Sequence, residues 1–244
     1  MTQSLIAVML MWIVPAKIMK NILAVSCTSH SKDRRDSLMV YKSLNLLKHE
    51  IDLRIIYDNK RGLPEVYNEY ISAKYAKKYD ILLFIHDDVY VDDLKIRGKL
   101  YEAIKQYDIV GVAGCLYPII RKPALWHLMS DRLNHRGYVA HVNPQDIATI
   151  NMTTFGPTPS RVAVIDGLFM AINLKSVLNS EWKFDEDFKY HHYDLSSCLY
   201  ANEKNLKIGV TPINIIHASS GLSSISNPDF TESQDIFISK HHAK

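Results

Sequence analysis

The chain has only three cysteines, Cys27, Cys115 and Cys198, far apart and with no CxxC pair. So odd and scattered a set argues against a disulfide scaffold or a structural zinc and suits a reducing compartment such as the cytoplasm. Also missing is an apolar run long enough to cross a bilayer. The nearest, "SLIAVMLMWIV" close to the start, has about ten apolar residues, half of the roughly 20 a spanning helix needs. It lacks a basic flank and a small-residue cleavage site, so it reads poorly as a signal peptide. Residues 1–18 are taken as a hydrophobic extension, either a mis-assigned start ahead of Met19 or an interfacial anchor. The second option leaves open a peripheral contact with the inner face of a membrane. Massed charge is absent too. The net charge of +3 is scattered along the chain, which lends nucleic acid binding little support. Without a repeat, linker or low-complexity tract, the chain reads as one domain over 19–222, followed by a polar, weakly ordered tail over 223–244.

What is present is a regular alternation. At 47% hydrophobic the chain can bury a sizeable core. "NILAVSC" reads as a first strand, and Leu38, Tyr41, Leu44 and Leu47 mark a helical stripe. "IDLRIIY" follows as a second strand, then a loop, then a helix opened by Pro64. "ILLFI" is a third strand, a helix surrounds Ile96, Leu100 and Ile104, and "DIVGVAG" is a fourth strand. Strands alternating with helices imply an α/β fold, a mostly parallel central sheet with helices on both faces. Ligands bind such sheets outside the carboxyl ends of the strands. Cys27, Asp58 and the acidic run "HDDVYVDD" all fall at such ends. The stretch from 115 to 160 is rich in Pro, His, Arg and aromatics with weak periodicity. It is expected to be irregular, either a functional loop or a flap. "RVAVIDGLFMAIN", a short helix and a last strand "INIIH" complete the order.

The acidic run carries the chemistry. Two like charges about 5 Å apart repel by roughly 3 kcal/mol at an effective dielectric near 20. Gathering Asp87, Asp88, Asp92 and Asp93 therefore needs water or a metal to offset it. Asp92 and Asp93 precede a helix and are read as its caps. In an extended backbone His86 and Asp88 project together while Asp87 points away. That pair is a candidate cation site, with Mg²⁺ preferring oxygen ligands and Mn²⁺ tolerating an imidazole. Asp58 and Asn59 suit either a turn or a ribose contact. Asp194 opens a helical pattern, as a cap or as a general base whose pKa burial would have to raise. His217 ends an apolar strand, structural or else a metal or phosphate contact.

"DNKRGLPEVYNEYISAKYAKKYDILLFIHDDV", "VIDGLFMAIN", "FDEDFKYHHYDLSSCLYANEKNLKIGV" and "INIIHASSG" together resemble, in order, family 2-type glycosyltransferases of the GT-A fold. They look most like the small branch typified by a streptomycin-biosynthesis enzyme, over about residues 20 to 222. The resemblance implies a nucleotide-diphosphate sugar lying across the strand ends, among Cys27, Asp58, Asn59, Asn68, His86, Asp87, Asp166 and Gly167. It implies Asp88 and His217 as ligands of Mn²⁺ or Mg²⁺. It also implies Asp194 as the base that activates a glycan or lipid-linked acceptor for inverting displacement. The chain departs from the family pattern at His86, where an Asp is usual, and at Ser196, where many relatives have a second acid. Trp126 and Tyr138 are candidates to stack on sugar rings. Rival readings are a sugar nucleotidyltransferase, a non-catalytic nucleotide- or glycan-binding module, and a metal phosphohydrolase. The first is disfavoured because no glycine follows the first strand in "SCTSHSKDRRD".

Overall fold

The structure is a computed structural model that describes residues 21–143, 146–219 and 225–241. The hydrophobic extension expected over residues 1–18 lies outside them. Its frame is a seven-stranded mixed sheet. Strands β1 (Asn21–Cys27), β2 (Ile51–Ile56) and β3 (Tyr79–Ile85) run parallel, with β1 in the middle. The sheet continues through β11 (Phe169–Asn173), β5 (Ile109–Gly111), β12 (Ile208–Val210) and β9 (Ser160–Val162). β11 is antiparallel to both β3 and β5, and β9 is antiparallel to β12. The sheet is therefore mostly, not purely, parallel. β1 and β3 are buried almost end to end, as their unbroken apolar runs require for strands covered on both faces.

The helical stripe over 33–47 forms as a 3₁₀ turn, a short helix α1 (Met39–Leu44) and a second 3₁₀ turn. The segment opened by Pro64 likewise splits into α2 (Leu63–Asn68) and α3 (Ala73–Ala76). Helix α4 (Ile96–Ala103) matches its pattern. "DIVGVAG" divides into β5 and β6 (Ala113–Cys115), and β6 leaves for a second sheet.

That second sheet overturns the expectation of an irregular 115–160. Strands β7 (His135–Asn143) and β8 (Asp146–Gly156) form a long antiparallel pair. Its order is β10 (Val164–Ile165), β6, β7, β13 (Ile215–Ala218), β4 (Val89–Val91), with β8 on β7. Among the described residues of that stretch, 116–131, ahead of a short 3₁₀ turn, and 157–159 stay largely irregular. Gly137 adopts φ +101°, and a Cβ there would lie 2.0 Å from the Val112 carbonyl oxygen, so only glycine lets β7 approach β6 this closely.

The remaining helices are α5 (Leu174–Asn179), α6 (Tyr193–Glu203) and α7 (Pro228–His241). The last replaces the weakly ordered tail. Asn227 Oδ1 accepts the Asp229 amide and Pro228 opens the helix, a recognisable start signal. Phe230, Gln234, Phe237 and His241 form its buried face. Gln234 Oε1 accepts the Ala124 amide at 2.8 Å, and Lys240 pairs with Asp185 and Asp187. Helix α7 thus ties the segment before Trp126 to the loop ahead of α6.

Candidate active site

Pairing direction assembles the site. Because β11 runs against β3, Phe169 at its start sits beside Ile85 at the end of β3. The turn His86–Asp88 therefore meets the loop Asp166–Leu168, and the His86 amide donates to the Leu168 carbonyl at 3.1 Å. Antiparallel pairing of β13 with β4 places His217 opposite Val89, next to Asp88. Helix α6 starts against the same loop. Its Tyr193 hydroxyl donates to the Gly167 carbonyl at 2.8 Å, and Asp194 Oδ2 accepts the Gly167 amide at 2.8 Å. A Cβ on residue 167 would lie 2.6 Å from the Tyr193 hydroxyl and 2.9 Å from Asp194 Cβ, so this junction requires glycine.

His86, Asp88 and His217 each offer a ligand atom, all within 4.8 Å of one another. His217 Nε2 lies 3.3 Å from Asp88 Oδ2. Burial pushes Asp88 upward, but the hydrogen bond and charge of His217, with His86 behind it, outweigh that and hold it below its usual range. Burial depresses His217, and the hydrogen bond to Asp88 more than restores it, leaving it raised. The two shifts share one interaction. His86 is lowered, chiefly by burial, with Asp88 opposing. Its Nε2 lies 3.2 Å from the Tyr193 oxygen, whose single proton is already given to Gly167. His86 must therefore donate from Nε2, so in the neutral form that burial favours the lone pair is on Nδ1. Asp88 Oδ1 is buried and has no hydrogen-bond partner among the described residues. An orphaned carboxylate oxygen beside two imidazoles is a donor set suited to Mn²⁺ or another borderline divalent cation.

Asp194 differs sharply. Burial, and then the charge of Asp166, raise it to about 7, while backbone amides of Leu195 and Gly167 pull the other way. Asp166 is held by the Trp126 indole, whose Nε1 donates to Oδ2 at 2.9 Å, and by the Leu168 amide on Oδ1. Together with His86, Tyr190 and His127 these groups line a cavity of about 140 Å³.

The other sequence candidates divide. Cys27 ends β1, and burial pushes its thiol up to about 12, with the charges of Arg61 and Asp87 close enough to act on it. It is an uncharged wall near Asp87. Asp58 is exposed, in a left-handed turn (φ 50°), its amide bonded to the His30 carbonyl. Asn59 folds onto Arg61 through both amide atoms. Asn68 does not join the group. Its side chain donates to the Phe184 carbonyl and Glu186 and accepts the Phe184 amide, so it is committed to holding the 184–186 loop. Asp93 is not the cap expected: Lys95 holds that position without a side-chain cap bond, and Asp93 instead accepts the Lys95 amide in the turn before α4 and pairs with Lys99 at 2.6 Å. Trp126 is 4% exposed and packs edge-on to His135 and Phe155, so neither ring face is open for a sugar. Tyr138 donates to Asn214. Sequence reasoning missed Tyr190 and Tyr193, although the aromatic crowding of "KYHHYD" just before Asp194 was a visible signal.

The topology defines an α/β protein built on a mixed, mostly parallel central sheet with a second sheet beside it. The chain belongs to the Glycosyltransferase like family, whose model matches residues 23–241. No curated protein sequence matches it. Two solved structures are similar in shape. A197 from STIV has a TM-score of 0.49 at 14% identity, covering 82% of this chain and 86% of that one. GalNAc-T7 with UDP, GalNAc and Mn2+ has a TM-score of 0.49 at 10% identity, covering 83% of this chain and 44% of the other. The chain thus spans less than half the length of the second. Among the described residues no helix is long and apolar enough to cross a membrane.

Proposed function

We propose that the protein transfers a sugar from a nucleotide-diphosphate donor to a hydroxyl of a glycan or lipid-linked acceptor, with inversion, as its resemblance to the streptomycin-type branch suggests. The observation that carries this reading is the orphaned, buried Asp88 Oδ1 grouped with His86 and His217, His86 also lining the hollow that holds a carboxylate raised to about 7. Asp88, His217 and His86 through Nδ1 would hold a divalent ion, which when bound neutralises the diphosphate. Cys27, Asp58, Asn59 and Asp87 line the nucleoside side of the strand ends. Asp166 and Gly167 face the sugar.

Asp194 is the base. The acceptor oxygen forms its bond to the anomeric carbon as the bond from that carbon to the diphosphate oxygen breaks. The acceptor proton passes to Asp194 Oδ1, the oxygen not taken by the Gly167 amide. A base works best with a pKa near the operating pH, and burial beside Asp166 supplies that. Trp126 and the Leu168 amide hold Asp166 in place, so the charge that raises Asp194 is fixed.

The test is a thermal-shift series with UDP, ADP, GDP and dTDP, each with Mn²⁺ and with chelator. A ligand at 100 times its Kd adds about 2.7 kcal/mol to the folded state. One base should raise the melting temperature, and more so with Mn²⁺. A flat response to all four in both conditions overturns the donor site. A binding module would show the shift but lose nothing on Asp194→Asn, whereas a transferase loses turnover and keeps the shift.

A further inference from the structure

Beside the hollow that holds Asp194 lies a second, larger cavity of about 480 Å³, and the two share Tyr190 and His191 as a common wall. Its size falls within the range of small-molecule sites. One side is Phe188 and Tyr190, from the loop ahead of α6. The other is Asn227 with Asp229, Glu232 and Ile236, from the start of α7. The Tyr190 ring stacks on His86, centroids 5.6 Å apart at 27°, yet the residue stays 54% exposed. A member of the ion-binding trio therefore fixes the ring's orientation while much of its surface stays open.

The chemistry of the walls restricts the occupant. Asp187 at the margin is paired with Lys240. Among the described residues Asp229 and Glu232 have no ion-pair partner, and one cation, Lys189, stands against them. Carboxylates only accept hydrogen bonds, so the occupant must be rich in donors. An aromatic face gains from an apolar surface laid on it. A pyranose offers both: a ring of C–H groups for Tyr190 and a rim of hydroxyls for the carboxylates and Asn227. A carboxylate or phosphate on the sugar would meet the negative excess and be repelled. The cavity adjoins the hollow of Asp194 at the Tyr190–His191 wall.

We propose that this cavity seats the acceptor, and that the seated unit is an uncharged or amino carbohydrate rather than a uronic acid or a sugar phosphate. This rests on the transferase reading above and assigns its acceptor side to the gap between α7 and the loop ahead of α6.

The experiment is saturation-transfer NMR on the full chain with methyl glucoside, galactoside and mannoside, methyl glucosaminide, methyl glucuronide and glucose 1-phosphate. At least one uncharged or amino glycoside should receive saturation, and the two anionic sugars should receive several-fold less. Glu232→Lys and Tyr190→Ala should each weaken that signal about five-fold, the size of one aromatic contact or one hydrogen bond. Saturation of the anionic sugars alone, of none of the panel, or undiminished in both cavity variants overturns the inference. If glycosides bind while no nucleoside diphosphate does, the carbohydrate site stands and the transferase reading fails. The reverse result removes the acceptor assignment alone.

Discussion

Asp88 and Asp194 flank His86 and the loop Asp166–Leu168 from two different junctions, and their surroundings drive them in opposite directions. Asp88 sits in the turn between β3 and β4 with His217 beside it, and the imidazole overrides burial to keep it ionised. Asp194 sits in the first turn of α6, where dipole and amides favour the anion, yet burial and Asp166 carry it to about 7. Helix position alone would have ranked the two the other way. What separates them is the neighbour: a hydrogen-bonding imidazole for one, a second carboxylate for the other. Environments that push two acids apart are how one site supplies both a fixed anion and a proton acceptor.

The largest effect expected is from Asp194→Asn. Turnover should fall about a hundred- to ten-thousand-fold, while the nucleotide-induced thermal shift is unchanged. Equal loss of both would mean Asp194 serves structure and not proton transfer. In the wild type, turnover should climb as pH rises through about 7, the value at which Asp194 ionises. The stability consequence has the opposite sign. A raised carboxylate contributes stability that is full below its unfolded pKa, near 4, and lost as pH rises through about 7. The Asn variant should therefore gain melting temperature over wild type at pH 8 compared with pH 5. For Asp88, whose pKa is lowered, the contribution is present above the unfolded value and lost as pH falls.

Next in size is Asp88→Asn. Mn²⁺ affinity, measured by calorimetry on the protein alone, should drop by about 100-fold, the upper end of what even outer partners of a metal cost. Unchanged affinity would place the ion elsewhere. Gly167→Ala sharpens the comparison by moving the second carboxylate. The new methyl meets Tyr193 and Asp194, and overpacking of this kind costs about 1–3 kcal/mol. Chemical denaturation should show that loss together with reduced turnover. Smallest is Trp126→Phe, which removes the indole N–H from Asp166. About 1 kcal/mol is expected, read as a roughly five-fold fall in turnover with Mn²⁺ affinity unaltered.

The left half of this fold was readable residue by residue. "NILAVSC" and "ILLFI" are continuous apolar runs, and buried parallel strands have that signature. Their ends place Cys27 and His86–Asp88 at the rim without further information. The antiparallel direction of β11 was not readable, because strand direction lives in long-range pairing and leaves no mark on "FMAIN". That direction is what brings Asp166 and Gly167 to His86. The β7–β8 pair was hidden because His135, Arg136 and Asn143 interrupt its alternation, and Asn68 misled because a polar residue in a motif looks the same whether it binds a ligand or the chain's own carbonyls. Helix α7 carries only two buried aromatics over its 14 residues, too few for a periodic signal, although Asn227 and Pro228 did mark its start.

Helix α7 carries a consequence in time. Synthesis proceeds from the N-terminus, so the sheet and the helix that carries Asp194 are made before the segment that walls the larger cavity and pins Ser196, through His241, and Asp185, through Lys240. A nascent chain halted before Asn227 already holds both carboxylates but lacks Asn227, Asp229, Glu232 and Ile236, one side of the larger cavity. Completion of that cavity therefore waits on the docking of α7.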